Sequence, residues 1–177
     1  MKTLEPRFPG STRARTTAGA ITLAVLGAIA GATSSGATAA QEGKVDTIHC
    51  ASWTLLNFQH REGALYGTFD GFGTIQGKAP GGGPLDDASF QCSGGWRLVD
   101  GKYWDGGSCE YFGKNGDRML IRHESIDLKG TYTILSGTGK WAGITGQGEY
   151  ERRPFYPVTR PNTFAMCYPV RGSYRLP

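Results

Sequence analysis

Past residue 40 the chain lacks three things: sustained helical periodicity, a run of basic residues, and an apolar stretch long enough to cross a membrane as a helix. Without helical periodicity there is nothing from which to build an all-α or α/β domain. Without a basic run the electrostatic footprint of a nucleic-acid binder is missing, so no nucleic-acid partner is expected. The excess of 19 basic over 15 acidic residues does not change this: residues 1–40 hold four of the former and one of the latter, leaving 15 against 14. Arg152-Arg153 is the one adjacent basic pair, and it reads as a solvated strand end. Without a long apolar run, no stable membrane insertion is expected of this part.

Metal and cofactor signatures are missing too. No two cysteines are spaced as C-x-x-C, and His49, His60 and His123 are far apart. The sequence therefore predicts no metal, with the histidines as surface or internally satisfied residues. GKNGDR offers one carboxylate where a calcium loop needs several. Asp105, Glu110, Asp117, Glu124 and Asp127 read as a solvated face. There is no G-x-S-x-G elbow, although a Ser-His-Asp site is spatial and does not need one.

The strongest contender for phosphate chemistry is GTYTILSGTGKWAGITGQGEY, residues 130–150. A P-loop needs glycine where Ile134 stands and Ser or Thr where Trp141 stands. Gly137, Gly139 and Ala142 match G-x-G-x-x-A, but a glycine-rich stretch follows where that motif requires a helix. The expected reading is strand, tight turn, strand, with Lys140 exposed and Trp141 packed beside it. No cofactor is expected.

The first 40 residues read as an export signal. Lys2, Arg7, Arg13 and Arg15 precede an uncharged stretch that includes Ala18–Ala32, and Ala37-Thr38-Ala39 has the form of a cleavage site. Cleavage near Ala39 or Ala40 would deliver residues 41–177 to the periplasm or the exterior. That domain carries 23 of the 28 glycines and abundant aromatics, which suits an all-β fold of short strands and tight turns.

Strands are expected at Thr47–Asn57, Ala64–Asp70, Phe72–Gly77, Ser89–Val99, Lys102–Phe112, Asp117–Ser125, Thr131–Leu135, Gly146–Arg152 and Phe164–Arg175. Ala64–Gly77 reads as a glycine-broken pair, Lys78–Asp87 as a loop, and Arg153–Thr163 as a proline-bearing connection. Together they suit a small antiparallel closed barrel of about eight strands.

Four cysteines in an exported chain suggest two disulfides. Asp100-Gly101 is a strong hairpin turn. If Val99 faces Lys102, Cys92 faces Cys109 and Gly94-Gly95 faces Gly106-Gly107, at a non-hydrogen-bonded site close enough to bridge. Cys50 then joins Cys167, and the first strand joins the last if the sheet closes.

The stretch 130–150 and the tail CYPVRGSYRLP resemble the allene oxide cyclase-like barrel family over roughly residues 88–177. The glycine-rich step between strands is also similar to dirigent-type barrels. The four cysteines and the GSYRLP ending are most similar to secreted bacterial members of the family. The resemblance implies a barrel, and for the plant enzymes a greasy interior, a catalytic glutamate and a cysteine further along. This chain has no glutamate between Thr47 and Asn57 and no cysteine in Ala64–Gly77. Those catalytic residues do not transfer.

Three functions stay open. The first is a non-catalytic barrel, with Trp53, Trp96, Trp141 and Tyr132 as candidates to line a site for a small hydrophobic molecule. Trp104, Tyr103 and Tyr111 are further aromatics of this kind, and core filling is their alternative role. The second is an isomerase or cyclase, for which Glu149 and then Glu124 are the candidate ionisable residues, provided they point inward. The third is a dirigent-like partner or surface protein, which should expose an apolar barrel face.

Overall fold

The computed structural model describes residues 40–77, 85–153, 156–157 and 160–177. The expected export segment lies outside the described residues, as does most of the loop before Leu85. The described chain forms β1 (Gln41–Arg61), β2 (Ala64–Gly77), β3 (Ser89–Val99), β4 (Lys102–Phe112), β5 (Arg118–Ile126), β6 (Lys129–Gly137), β7 (Thr145–Glu151), β8 (Tyr156–Pro157) and β9 (Thr163–Leu176). Every pairing is antiparallel, each of β1 to β6 pairs with its successor, and β9 pairs with both β7 and β1. The sheet is a closed barrel of β1–β7 and β9, and closure removes the free edges that an open sheet would present. The two-residue β8 pairs with β9 at Ala165 and Phe164, inside the stretch expected to be a proline-bearing connection.

Alternation decides what lies inside. Val45, Thr47, His49, Ala51 and Trp53 are the buried positions of β1, and Met119, Ile121, His123 and Ser125 those of β5. At the end where β1 begins, Leu85, Ala88, Trp141 and Ile144 complete the core. The opposite end carries the tight hairpin turns. There Asp100 and Gly101 both have positive φ, 49° and 78°, as a two-residue primed turn requires.

Glycine lets so many aromatic rings share a narrow barrel. A Cβ on Gly71 would lie 2.3 Å from the Trp53 ring, and one on Gly148 would lie 2.5 Å from that of Tyr132. Each ring lies against a neighbouring strand where a side chain would collide. For this reason β2 runs unbroken through Gly71 and Gly73, where the sequence reads as a glycine-broken pair.

The hairpin register is as expected. Cys92 faces Cys109, Gly94 faces Gly107 and Gly95 faces Gly106. Both disulfides form, Cys92–Cys109 and Cys50–Cys167, each with Cα atoms 4.0 Å apart. They lie on opposite sides of the wall. Cys92 and Cys109 are 1% and 5% exposed within the core, whereas Cys167 is exposed on the outer face.

The glycine-rich stretch is strand, turn, strand. β6 ends at Gly137, a 3-10 turn spans Gly139–Trp141, and β7 starts at Thr145. Gly139 and Gly143 have φ of 57° and 74°, the left-handed region that glycine enters without strain. Lys140 is exposed with its ammonium 5.2 Å from the Trp141 ring centre, and Trp141 is fully buried.

Candidate functional site: a polar cluster inside and an apolar groove outside

The interior holds an ionic cluster near the hairpin end. Asp105 on β4 is completely buried. Arg152, one residue past β7, grips it with both terminal nitrogens: Nη2 donates to Oδ1 at 2.6 Å and Nη1 donates to Oδ2. Ser125 Oγ donates to the same Oδ2 at 2.7 Å. The Tyr103 hydroxyl accepts from Arg152 Nη1 at 3.3 Å. A buried charge persists only when paired and hydrogen-bonded, and this two-pronged contact meets both conditions. Burial works against the charge on Arg152, but the Asp105 carboxylate outweighs it and raises its pKa.

These placements correct two sequence expectations. Asp105 does not belong to a solvated acidic face, and Arg152 is not a solvated strand end. Both share the parity of inward neighbours: Asp105 alternates with Cys109 and Tyr111, and Arg152 follows Tyr150 by two. Period-two counting from the cysteines finds the aspartate. The arginine needs the barrel's closure to bring residues 105 and 152 together.

Two histidines line the same interior. His123 Nδ1 shares a hydrogen bond of 3.2 Å with the Tyr150 hydroxyl and lies 3.7 Å from Asp105 Oδ1. His49 packs among Phe90, Tyr111 and Tyr168, with ring centres 5.2 to 5.8 Å away. Neither is at the surface, and neither Nε2 has a protein partner among the described residues. Burial lowers the pKa of His49 to about 3. Burial also lowers that of His123, to about 4, although the Asp105 carboxylate pulls the other way. Burial pushes the hydroxyls of Tyr103 and Tyr132 up to about 12 and those of Tyr111, Tyr150 and Tyr168 higher still. At neutral pH the imidazoles and phenols inside are uncharged.

Ser125, His123 and Asp105 meet in space but do not form a nucleophilic triad. The serine hydroxyl donates to the carboxylate rather than to imidazole, so the histidine is not placed to take its proton as a triad requires. Glu149 and Glu124, the candidate ionisable residues, are exposed on the outer face. An isomerase built on an inward glutamate loses its chemistry with them.

Trp53, Trp96, Trp141, Tyr132 and Tyr111 are all buried in the core, and the partly buried Tyr103 packs against it. Trp104 faces outward beneath the Arg97 guanidinium, 4.8 Å away. The space left between His49, Trp53, His123, Tyr132 and Tyr168 is about 20 Å³. That is room for one water. A hydrophobic ligand inside the barrel, as the sequence suggests, meets a filled interior.

The roomy site is outside. A groove of about 610 Å³ crosses the outer face of β9, β1, β2, β3 and β4. Phe72, Phe112, Tyr156 and the Cys50–Cys167 bridge line it, and none of its described lining residues is charged. Phe72 is 69% exposed and Tyr156 63%. Exposed apolar groups in one patch mark contact surfaces more often than scattered ones do. Sequence reading missed the groove because each residue is unremarkable alone; five barrel strands and a disulfide bring them together.

Fold and site together define a closed antiparallel barrel with a filled, ion-paired interior and an uncharged outer groove. No protein-family model matches the chain, and neither does any curated protein. Among solved structures, a pterocarpan synthase dirigent protein aligns over 77% of this chain and 93% of its own, at 11% identity and a TM-score of 0.47.

Proposed function

We propose that the chain is an exported, non-catalytic binding barrel whose contact surface is the outer apolar groove. The supporting observation is a contrast: about 20 Å³ of space inside against about 610 Å³ of uncharged groove outside. Pockets for small ligands fall at about 300–1,000 Å³ and are mostly apolar, so the groove has the right size and character. Two disulfides favour an oxidising compartment. This is the partner-like reading that calls for an apolar face. The test is a thermal-shift panel of lipids and uncharged aromatic molecules on the wild type and Phe72→Asp. Members of the panel should raise the wild-type melting temperature and bind the variant at least tenfold more weakly. A flat wild-type response, or equal binding to both, would overturn the proposal.

A second reading, an isomerase or cyclase, draws support from the His123–Tyr150 hydrogen bond beside Asp105. It requires the interior to make room for a substrate. Indole resonances of Trp53 and Trp96 should then shift when a hydrophobic ligand is added, and shifts confined to groove residues would exclude it.

A further inference from the structure

We infer that the Cys50–Cys167 bridge is a thiol-exchange site of the folded barrel, selective for uncharged apolar thiols, while Cys92–Cys109 is inert. The two bridges differ in place rather than kind. Cys92 and Cys109 project into the core, where an attacking thiolate would need the barrel to open. Cys50 and Cys167 project outward, Cys167 is exposed, and both line the groove. Exchange requires in-line access to one sulfur, which only the outer bridge offers.

The surroundings set the reagent. Phe72, Phe112, Tyr156 and Ala165 flank the bridge without a charge among them. An aromatic thiol buries its ring against these walls as it approaches. A thiol carrying carboxylates must shed water there with no charge among the described lining residues to compensate, and the Arg118 guanidinium, 5.4 Å over the Phe112 ring, is already paired with Glu110.

The thiolate of R–SH attacks Cys167 Sγ, forming a mixed disulfide and breaking the Cys50–Cys167 bond. Cys50 leaves as a thiolate and takes a proton from water. A second R–S⁻ attacks the R-bearing sulfur of the mixed disulfide, releasing R–S–S–R and the Cys167 thiolate, which takes a proton from water. Two electrons pass from two thiols to one protein disulfide. The β1–β9 ladder, continuous in register from Gln41–Leu176 to Thr54–Thr163, keeps the barrel closed through these steps.

The order of reduction stands on burial alone. The preference for an apolar thiol rests on the outer groove being a binding surface. The experiment separates them. Folded protein is exposed briefly to benzyl mercaptan or glutathione, quenched with iodoacetamide and mapped by peptide mass. Each rate is divided by that thiol's rate with a disulfide in an unstructured peptide. The first two-thiol species should carry label at Cys50 and Cys167 only. Label at Cys92 or Cys109 in that species, or four thiols appearing together, would overturn the assignment. Benzyl mercaptan should show at least a tenfold normalised advantage, and Phe72→Asp should remove it. Equal normalised rates would overturn the thiol preference and the groove reading with it, whatever the order of reduction.

Discussion

At the scale of single residues, the most consequential side chain is one whose sequence neighbourhood suggests nothing unusual. Asp105 lies between Trp104 and Gly106 on a strand full of polar residues, yet it is the buried anion on which Arg152 and Ser125 converge. Removing one partner of a buried pair costs about 3–5 kcal/mol, because the other charge is left uncompensated. Asp105→Asn should lower stability by about that much in urea denaturation, whereas the double variant Asp105→Asn, Arg152→Met should recover part of the loss. A single variant as stable as the wild type would mean that Arg152 reaches solvent on its own.

The turn at Gly139–Trp141 gives the opposite case, where a suggestive sequence has a plain geometric cause. The Lys140 side chain is exposed, with its ammonium over the face of Trp141, so Lys140→Ala should move stability by no more than about 0.5 kcal/mol. A Cβ on Gly139 would sit 1.7 Å from Asp117 Oδ1, and φ there is positive. Gly139→Val should therefore cost about 1–3 kcal/mol from backbone strain alone. Calorimetric binding of ATP or a dinucleotide to the wild type, lost in Lys140→Ala, would reverse this account.

At the scale of strands and bridges, legibility follows how local the determinant is. The β3–β4 hairpin is readable to the residue because one Asp-Gly turn fixes its register, and cysteines and glycines check it from within. β1 is harder. The sequence supports Thr47–Asn57, while the strand runs Gln41–Arg61. Its early residues gain their partners from β9, far along the chain, and its late ones from β2 past the point where β9 stops. The same non-locality hides the Asp105–Arg152 pair and the outer groove. Bridge energetics belong to this scale too. In the chain-entropy model a loop of about 15 residues yields about 3 kcal/mol and one of about 100 yields about 4.7. The separations here are 17 and 117. Replacing Cys50 and Cys167 by serine should thus lower the melting temperature more than replacing Cys92 and Cys109 by alanine, as read by calorimetry. The reverse order would mean that lost core packing at Cys92 outweighs chain entropy.

At the scale of the barrel, enclosing two neutral imidazoles makes the fold sensitive to acid. His49 and His123 take up protons in the unfolded chain near pH 6.5, but in the barrel only near 3 and 4. Between those limits the unfolded state binds more protons, so stability is greatest above about pH 6.5 and falls as pH drops toward 4. Each histidine contributes a slope of up to about 1.4 kcal/mol per pH unit, so together they take away up to about 2.7 per unit. The surroundings explain why the folded state resists protonation. His49 packs against the rings of Phe90, Tyr111 and Tyr168. His123 faces Phe69 and Tyr150, with Asp105 in part committed to Arg152. Denaturant titrations at pH 7.5, 6, 5 and 4 on the wild type and on His49→Gln measure the effect. The wild type should lose stability steadily below pH 6.5, and the variant should show about half that slope, since one of the two buried imidazoles is gone. Equal slopes in the two proteins would place the acid sensitivity elsewhere. A wild-type stability that stays flat from pH 7.5 to 5 would mean that the imidazoles titrate inside the folded barrel, and so that water reaches an interior packed to within about 20 Å³ of full.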